Sequence, residues 1–254
     1  ASHQVTHLLC LPTFYPLLLQ QYASSLVSLR AVIVAGESCP SSLVIHHYRS
    51  LPHAELFNEY GPTEGTVWAS AALLNDDKSK VVPIGYPAGH TEIFVLDPWL
   101  HPVPPGVTGQ LYIGGAGLAR GYLNRPELTA ERFIPHLFKT DGSRLYRTGD
   151  LVRVRTDGNI VFLGRVDHQV KIRGYRIELG EIEAELKHRM EIRDAVVLVQ
   201  QSGASDHKLI AYCLPSHAHQ DKVVSGSQKI RSQLGTVLPA YMVPAVVIFL
   251  DAFP

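Results

Sequence analysis

The sequence predicts an α/β and α+β chain in two parts. The first is part of a large domain, a parallel α/β sheet followed by an antiparallel, barrel-like sheet, and the second is a small α+β unit at the C-terminal end. Three observations carry this reading. Apolar runs alternate with helically spaced segments up to about residue 60. Between about residues 65 and 165 the helical spacing gives way to strands punctuated by Gly and Pro. Beyond residue 167 both periods return together.

Taken in order, HLLCLP, RAVIVAG and AELFNEY read as parallel strands separated by the helical segments TFYPLLLQQY and CPSSLVIHHYRSL. Ser41 or Ser42 is the expected cap of the second helix, with Pro40 near its first turn. Then TVWASAALL, TEIFVLD, GQLYIGG and LVRVRTDGNIVFLG read as antiparallel strands, the last folded at Asp157-Gly158. HQVKIRGYRIEL alternates like two strands turning near Gly174, and Leu179, Ile182 and Leu186 put one face on a following helix. DAVVLVQQ and KLIAYCLP are two further strands joined by SGASDH. SQKIRSQLGTVL is a helix with Ile230, Leu234 and Val237 or Leu238 on one face, and AVVIFL is a last strand. The expected division is 1–166 for the large domain and 167–254 for the small one.

The 254 residues carry 23 basic and 23 acidic side chains, and no basic run marks a nucleic-acid or anionic-membrane surface. LLCLPTFYPLLL is broken by Pro12 and Pro16 and is too short to span a bilayer, so it reads as core. Cys10, Cys39 and Cys213 share no metal-ligand spacing and fit no disulfide framework; a reducing compartment, the cytoplasm, is expected. The polar stretch PSHAHQDKVVSGSQ holds two His at i, i+2 without the Cys or carboxylates of a metal site, and reads as a solvated loop. With no initiator Met and strands at both ends, the sequence reads as a fragment of something longer.

Four segments carry candidate chemistry. GGAGLARGYLNRP follows a strand, but Gly115, Gly117 and Gly121 miss the dinucleotide-binding spacing and Pro126 would break a helix running from the loop, so the glycines read as turn positions. Asp150 in LYRTGDL suits either a turn or a ribose diol. QVKIRGYRIELGEIE places Lys171, Arg173 and Arg176 ahead of a run of Glu, which solvated ion pairs would explain. NEYGPTE is more demanding. Gly61-Pro62 fixes a turn, Thr63 offers a hydroxyl, Glu64 a hard oxygen of the type Mg²⁺ prefers beside phosphate, and Tyr60 a flat face for a base.

Together NEYGPTE, GQLYIGGAGLARGYLNRPELTAERF, YRTGDL, GRVDHQVKIRGYRIELGEIE and LPAYMVP, in that order, resemble the amino-acid-activating adenylation domains of nonribosomal peptide synthetases. These belong to the adenylate-forming superfamily with acyl-CoA synthetases and luciferases. The resemblance implies an amino acid carboxylate attacking the α-phosphate of Mg·ATP to give an aminoacyl adenylate, which then passes to the phosphopantetheine thiol of a peptidyl carrier protein domain. It implies that Thr63 contacts phosphate, Glu64 holds Mg²⁺, and Tyr60 stacks on adenine with backbone support from Gly36, Glu37 and Gly61. Asp150 is then the ribose ligand, Arg165 and Lys171 lie along ribose and adenylate, and Phe162 covers the other side of the adenine. Asp167 matches the hinge of a small domain that rotates between half-reactions, and Gly174 the loop that faces the pantetheine arm.

The side-chain pocket implied in the same way is Cys10, Ile33, Ala35, Glu59, Val67 and Trp68. Glu59 is the informative member, because a buried carboxylate needs a partner; a basic or donor side chain of the substrate would supply one, and Trp68 a flat wall. The resemblance also implies that the phosphate loop, the segment whose Asp holds the amino group, and the catalytic-Lys segment lie outside these residues. The rest of the adenylation core is therefore an expected partner, and this chain alone is expected to be inactive. An acyl- or aryl-CoA ligase and a non-catalytic scaffold remain the alternatives.

Overall fold

A computed structural model describes residues 3–75, 81–201, 207–216 and 226–253. Most of the SGASDH connection and most of PSHAHQDKVVSGSQ, including both of its His, lie outside them. The described residues form two compact units, Ala1–Asp167 and His168–Pro254.

In the first unit β1 (His7–Cys10), α1 (Tyr15–Tyr22), β2 (Ala31–Ala35), α2 (Ser41–Ser50) and β3 (Glu55–Tyr60) alternate, and β1, β2 and β3 pair in parallel. β4 (Ser70–Leu74) and β5 (Tyr86–Pro87) extend the same sheet antiparallel, in the order β1-β2-β3-β4-β5. Strand alternation gives this sheet two unlike faces. Leu8, Cys10, Val32, Val34, Leu56, Ala72 and Leu74 pack with Tyr15 and Leu19 of α1 and Leu43 and Val44 of α2. Burying side chains of this size stabilises the layer by roughly 1.5–3 kcal/mol each.

The two helices start differently, and the start of α2 is not the expected one. Pro16 is tolerated in the first turn of α1, where its missing N–H has no intrahelical acceptor to lose. α2 begins at Ser41 itself, so neither serine caps it. The N-cap is Pro40, whose ring holds φ at −76° while ψ of 145° keeps it extended, and no side chain caps the helix.

The second sheet contains β6 (Thr91–Leu96), β7 (Thr108–Gly115), β9 (Arg144–Val154) and β10 (Ile160–Arg165) in the order β10-β9-β7-β6, all antiparallel. The short α3 (Pro126–Arg132) opens on Pro126 and leads into β8 (Phe133–Pro135), which pairs with β9. Ile84, Val95, Leu111, Val152 and Ile160 form the core here, with Tyr60 and Phe162 against it.

In the second unit β11 (Gln169–Ile172) and β12 (Tyr175–Glu178) form a hairpin. Its two connecting residues, Arg173 and Gly174, have φ of 50° and 78°, the positive pair that a tight turn of matching twist requires. α4 (Leu179–Lys187) buries Leu179, Ile182 and Leu186. β13 (Ile192–Gln201), β14 (His207–Pro215) and β15 (Val246–Phe249) form a sheet, antiparallel then parallel. α5 (Gly226–Leu234) adds Ile230 and Leu234, and beyond it Leu238 is buried while Val237 is exposed. No helix among the described residues is long and apolar enough to cross a membrane.

Candidate functional site

The parallel strands deliver their C-terminal ends to one edge of the sheet, the place where open α/β sheets bind ligands. β3 ends at Tyr60 and the chain makes an excursion through 61–68, closed where the Ala69 N–H donates to the Tyr60 carbonyl at 2.8 Å. Glycine is mandatory at 61, because a Cβ there would sit 2.1 Å from the Val67 carbonyl oxygen. Pro62 leads into a single turn over Thr63–Gly65, with Gly65 N–H donating to Pro62 O at 3.0 Å.

The sequence expectation of a strand from Thr66 fails here. Thr66 and Val67 both have positive φ, 57° and 74°, and Trp68 N–H donates back to Thr66 O at 3.0 Å. A β-branched residue in that region is strained, and such strain persists only where the surroundings impose it. The excursion presents Thr63 to solvent and buries Glu64 to 7 % exposure.

Across the edge stands a polar network. Tyr60 donates its hydroxyl to Asp150 Oδ2, and Arg165 donates through one terminal nitrogen to Asp150 Oδ1. The same guanidinium grips Asp167 with Nε to Oδ1 at 2.6 Å and its other terminal nitrogen to Oδ2 at 2.8 Å, and also reaches Thr148 O at 3.0 Å. A bulge between Phe162 and Gly164 shifts the β10 register so that Arg165 falls opposite Asp150. The Asp150 N–H donates to Thr148 Oγ1 at 2.9 Å. Burial, then the neighbouring Asp150 carboxylate, raise the Tyr60 phenol well above its usual range, so it stays a proton donor. Phe162 packs on the same apolar cluster as Tyr60.

β2 leads into Gly36, at φ of 84°, and Glu37, whose Oε2 accepts from the Thr13 N–H at 3.2 Å and the Thr13 hydroxyl at 2.7 Å. That contact ties the loops after β1 and β2 together. Thr13, Thr148, Tyr122 and Arg144 contribute here without a signal of their own in the sequence, although Thr148 lies inside YRTGDL and Tyr122 inside GGAGLARGYLNRP.

Glu59 faces the other way from Tyr60, on the sheet face away from α1 and α2. There Ala35, Glu59 and Ala71 form one cross-strand row and Leu9, Ile33, Phe57 and Leu73 the next. Both neighbours of Glu59 in its row are small alanines. Its Oε2 is buried without a hydrogen-bond partner, and burial raises the carboxyl pKa. Cys10 does not share this face. Strand alternation sets it opposite Val34 in the helix-covered core, where burial pushes its thiol to about 11, and the β1 residue on the Glu59 face is the exposed Leu9. Val67 is exposed and Trp68 half-buried. In the second unit, Lys171 is exposed on β11 directly opposite Arg176, and Gly174 completes the turn.

Among the described residues no group of three or more His, Cys, Asp or Glu is placed to hold a metal ion. A single buried carboxylate, Glu64, instead suits Mg²⁺, which keeps most of its shell for water and phosphate and takes one or two protein carboxylates.

The family model described as AMP-binding enzyme matches residues 1–123. The chain is similar to the adenylation domains of nonribosomal peptide synthetases. It is 45 % identical over 243 residues to the dimodular nonribosomal peptide synthase of Bacillus subtilis (strain 168), covering 96 % of this chain and 10 % of that protein. The Vibrio cholerae adenylation domain AlmE in complex with glycyl-adenosine-5'-phosphate superimposes with a TM-score of 0.85 at 27 % identity, over 100 % of this chain and 48 % of that one. A nonribosomal synthetase protein containing adenylation and PCP domains superimposes with a TM-score of 0.83 at 26 % identity, over 100 % and 50 %. The chain thus spans about half of each of these two solved chains and a small part of the synthase.

Proposed function

We propose that this chain is the part of an amino-acid-activating ligase that seats the nucleotide and reads the amino acid side chain. The reaction joins an amino acid carboxylate to the α-phosphate of ATP with release of pyrophosphate; the aminoacyl group then moves to the phosphopantetheine thiol of a carrier domain. The observation that carries the reading is the edge itself, where the Thr63–Gly65 turn and the Tyr60–Asp150–Arg165 network stand beside one another while Glu59 opens on the other face.

In this reading Asp150 accepts from the ribose hydroxyls, Tyr60 and Phe162 offer ring faces to the base, and Gly36, Glu37 and Gly61 line the strand ends beside it. Thr63 donates to phosphate. Glu64 holds Mg²⁺, which when bound neutralises phosphate charge. Arg165 and Lys171 supply positive charge along the ribose and the adenylate. Asp167 is the hinge between a 1–166 core segment and a mobile 167–254 unit, and Gly174 belongs to the pantetheine-facing loop. Ile33, Ala35, Glu59, Val67 and Trp68 select the substrate, with a cationic or donor side chain satisfying Glu59 Oε2. The remainder of the adenylation core and a peptidyl carrier domain are the partners, in a reducing cytoplasm.

ATP–pyrophosphate exchange across the amino acids, in the adenylation domain carrying this chain, tests the proposal. Arginine, lysine or ornithine should exchange best, and Asp150→Ala should abolish exchange. Better exchange with carboxylic acids lacking an amino group would point to a CoA ligase, and failure to bind ATP to a scaffold.

A further inference from the structure

The motif GGAGLARGYLNRPELTAERF begins at the end of β7, and the structure folds it against the Thr63–Gly65 turn. The Ala119 N–H donates to Glu64 O at 2.8 Å, Thr66 Oγ1 donates to Gly117 O at 2.5 Å, and a Cβ on Gly117 would lie 3.3 Å from Gly65 O. Tyr122 completes the contact with its hydroxyl, which donates to Glu64 Oε1 at 2.6 Å.

That hydroxyl is itself immobilised. The Tyr122 N–H donates to Thr129 Oγ1 at 2.9 Å, and Thr129 Oγ1 donates to Arg125 O at 2.8 Å. Gly121, at φ of 144°, lets Thr129 approach, since a Cβ there would meet Thr129 Cγ2 at 2.4 Å. The Tyr122 ring meets Phe133 edge to face at 5.7 Å, and the Arg144 guanidinium lies 5.1 Å over Phe133. Arg144 also donates to Arg120 O at 2.9 Å and Ala119 O at 3.0 Å, so one guanidinium braces the loop.

We propose that Tyr122 is a positioning residue for the Glu64 carboxylate: its hydroxyl fixes which oxygen and which lone pairs are presented to a Mg²⁺ ion arriving on a nucleotide. The inference rests on the reading of Glu64 as the Mg²⁺ ligand. Mg²⁺ demands near-ideal octahedral geometry, so a carboxylate free to rotate binds it less well than one already oriented. Loss of an outer-shell hydrogen bond to a metal ligand typically costs about 10–100-fold in metal affinity.

The test is calorimetric titration of ATP into the adenylation domain carrying this chain, at a series of Mg²⁺ concentrations and with chelator. Tyr122→Phe keeps the ring against Phe133 and removes only the donor. The Mg²⁺ concentration for half-maximal tightening of ATP binding should rise about tenfold, with metal-free ATP affinity unchanged. Thr129→Val, which keeps the Tyr122 hydroxyl and loosens its anchor, should shift the midpoint in the same direction by less, and serves if Tyr122→Phe does not fold. Glu64→Gln separates the two levels. A midpoint raised by Glu64→Gln but unmoved by Tyr122→Phe overturns the positioning role alone. A midpoint unmoved by Glu64→Gln overturns the metal-ligand reading and this inference with it.

Discussion

Arg165 divides one guanidinium between Asp150, Asp167 and the Thr148 carbonyl. Only a planar fork can reach all three, so Arg165→Lys keeps the charge and loses the geometry. With both members of the Asp150 pair nearly buried, at 13 % and 8 % side-chain exposure, that variant should lose about 1–3 kcal/mol in urea denaturation and bind ATP more weakly. Unchanged midpoint and affinity would mean the network is passive. At Glu59 the expectation concerns pH. Burial holds its carboxyl above the usual range, and a cationic substrate side chain needs the ionised form. Binding of a basic amino acid should therefore strengthen as pH rises through that raised pKa, and Glu59→Gln should flatten the profile. Individual residues were unevenly legible. The carboxylates of NEYGPTE stood out by chemistry and Asp150 only through the family resemblance, whereas Tyr122 looked like one more aromatic, because its partner lies 58 positions away and only the fold brings the two together. Cys10 lies one position from the β1 residue on the Glu59 face, and in a strand one position changes the face.

At the level of elements, α1 and α2 are pinned by His47, which is fully buried. Its Nε2–H donates to Ala54 O at 2.9 Å, so Nδ1 accepts from the Tyr15 hydroxyl at 2.7 Å. Burial lowers the pKa of His47 from 6.5, so the unfolded chain binds a proton there before the folded one does. Stability contributed by this pin is present above pH 6.5 and should fall as the pH drops below it, and His47→Gln should remove that part of the slope in denaturation curves taken from about pH 7.5 to about pH 5. Tyr15→Phe leaves Nδ1 without its donor and should cost about 1–3 kcal/mol. The helix and strand periods were readable because each element has one covered face. The 61–68 excursion was not, since TVWASAALL has the composition of a strand, yet Thr66 and Val67 take positive φ where the chain passes close to Gly61. Gly61→Ala should accordingly disable nucleotide binding far more than its one added methyl suggests.

The whole chain gathers its apolar residues into separate cores, one holding Cys39 and Cys10, another in the second unit holding Cys213. Burial raises Cys39 to about 12 and Cys10 and Cys213 to about 11, so all stay protonated at neutral pH. A thiol reagent should modify the native protein slowly and all three cysteines promptly in denaturant; one fast native thiol would contradict the packing. The succession of a parallel layer, an antiparallel layer and an α+β unit was legible because each class writes its own period. Glu59 and Tyr60 are neighbours in the chain, yet the sheet runs between their side chains like a wall between two workshops. If the proposed assignment holds, retooling one side for a new amino acid would leave the nucleotide side undisturbed, and products would diversify by changing what hangs on one surface of a sheet whose other surface stays the same.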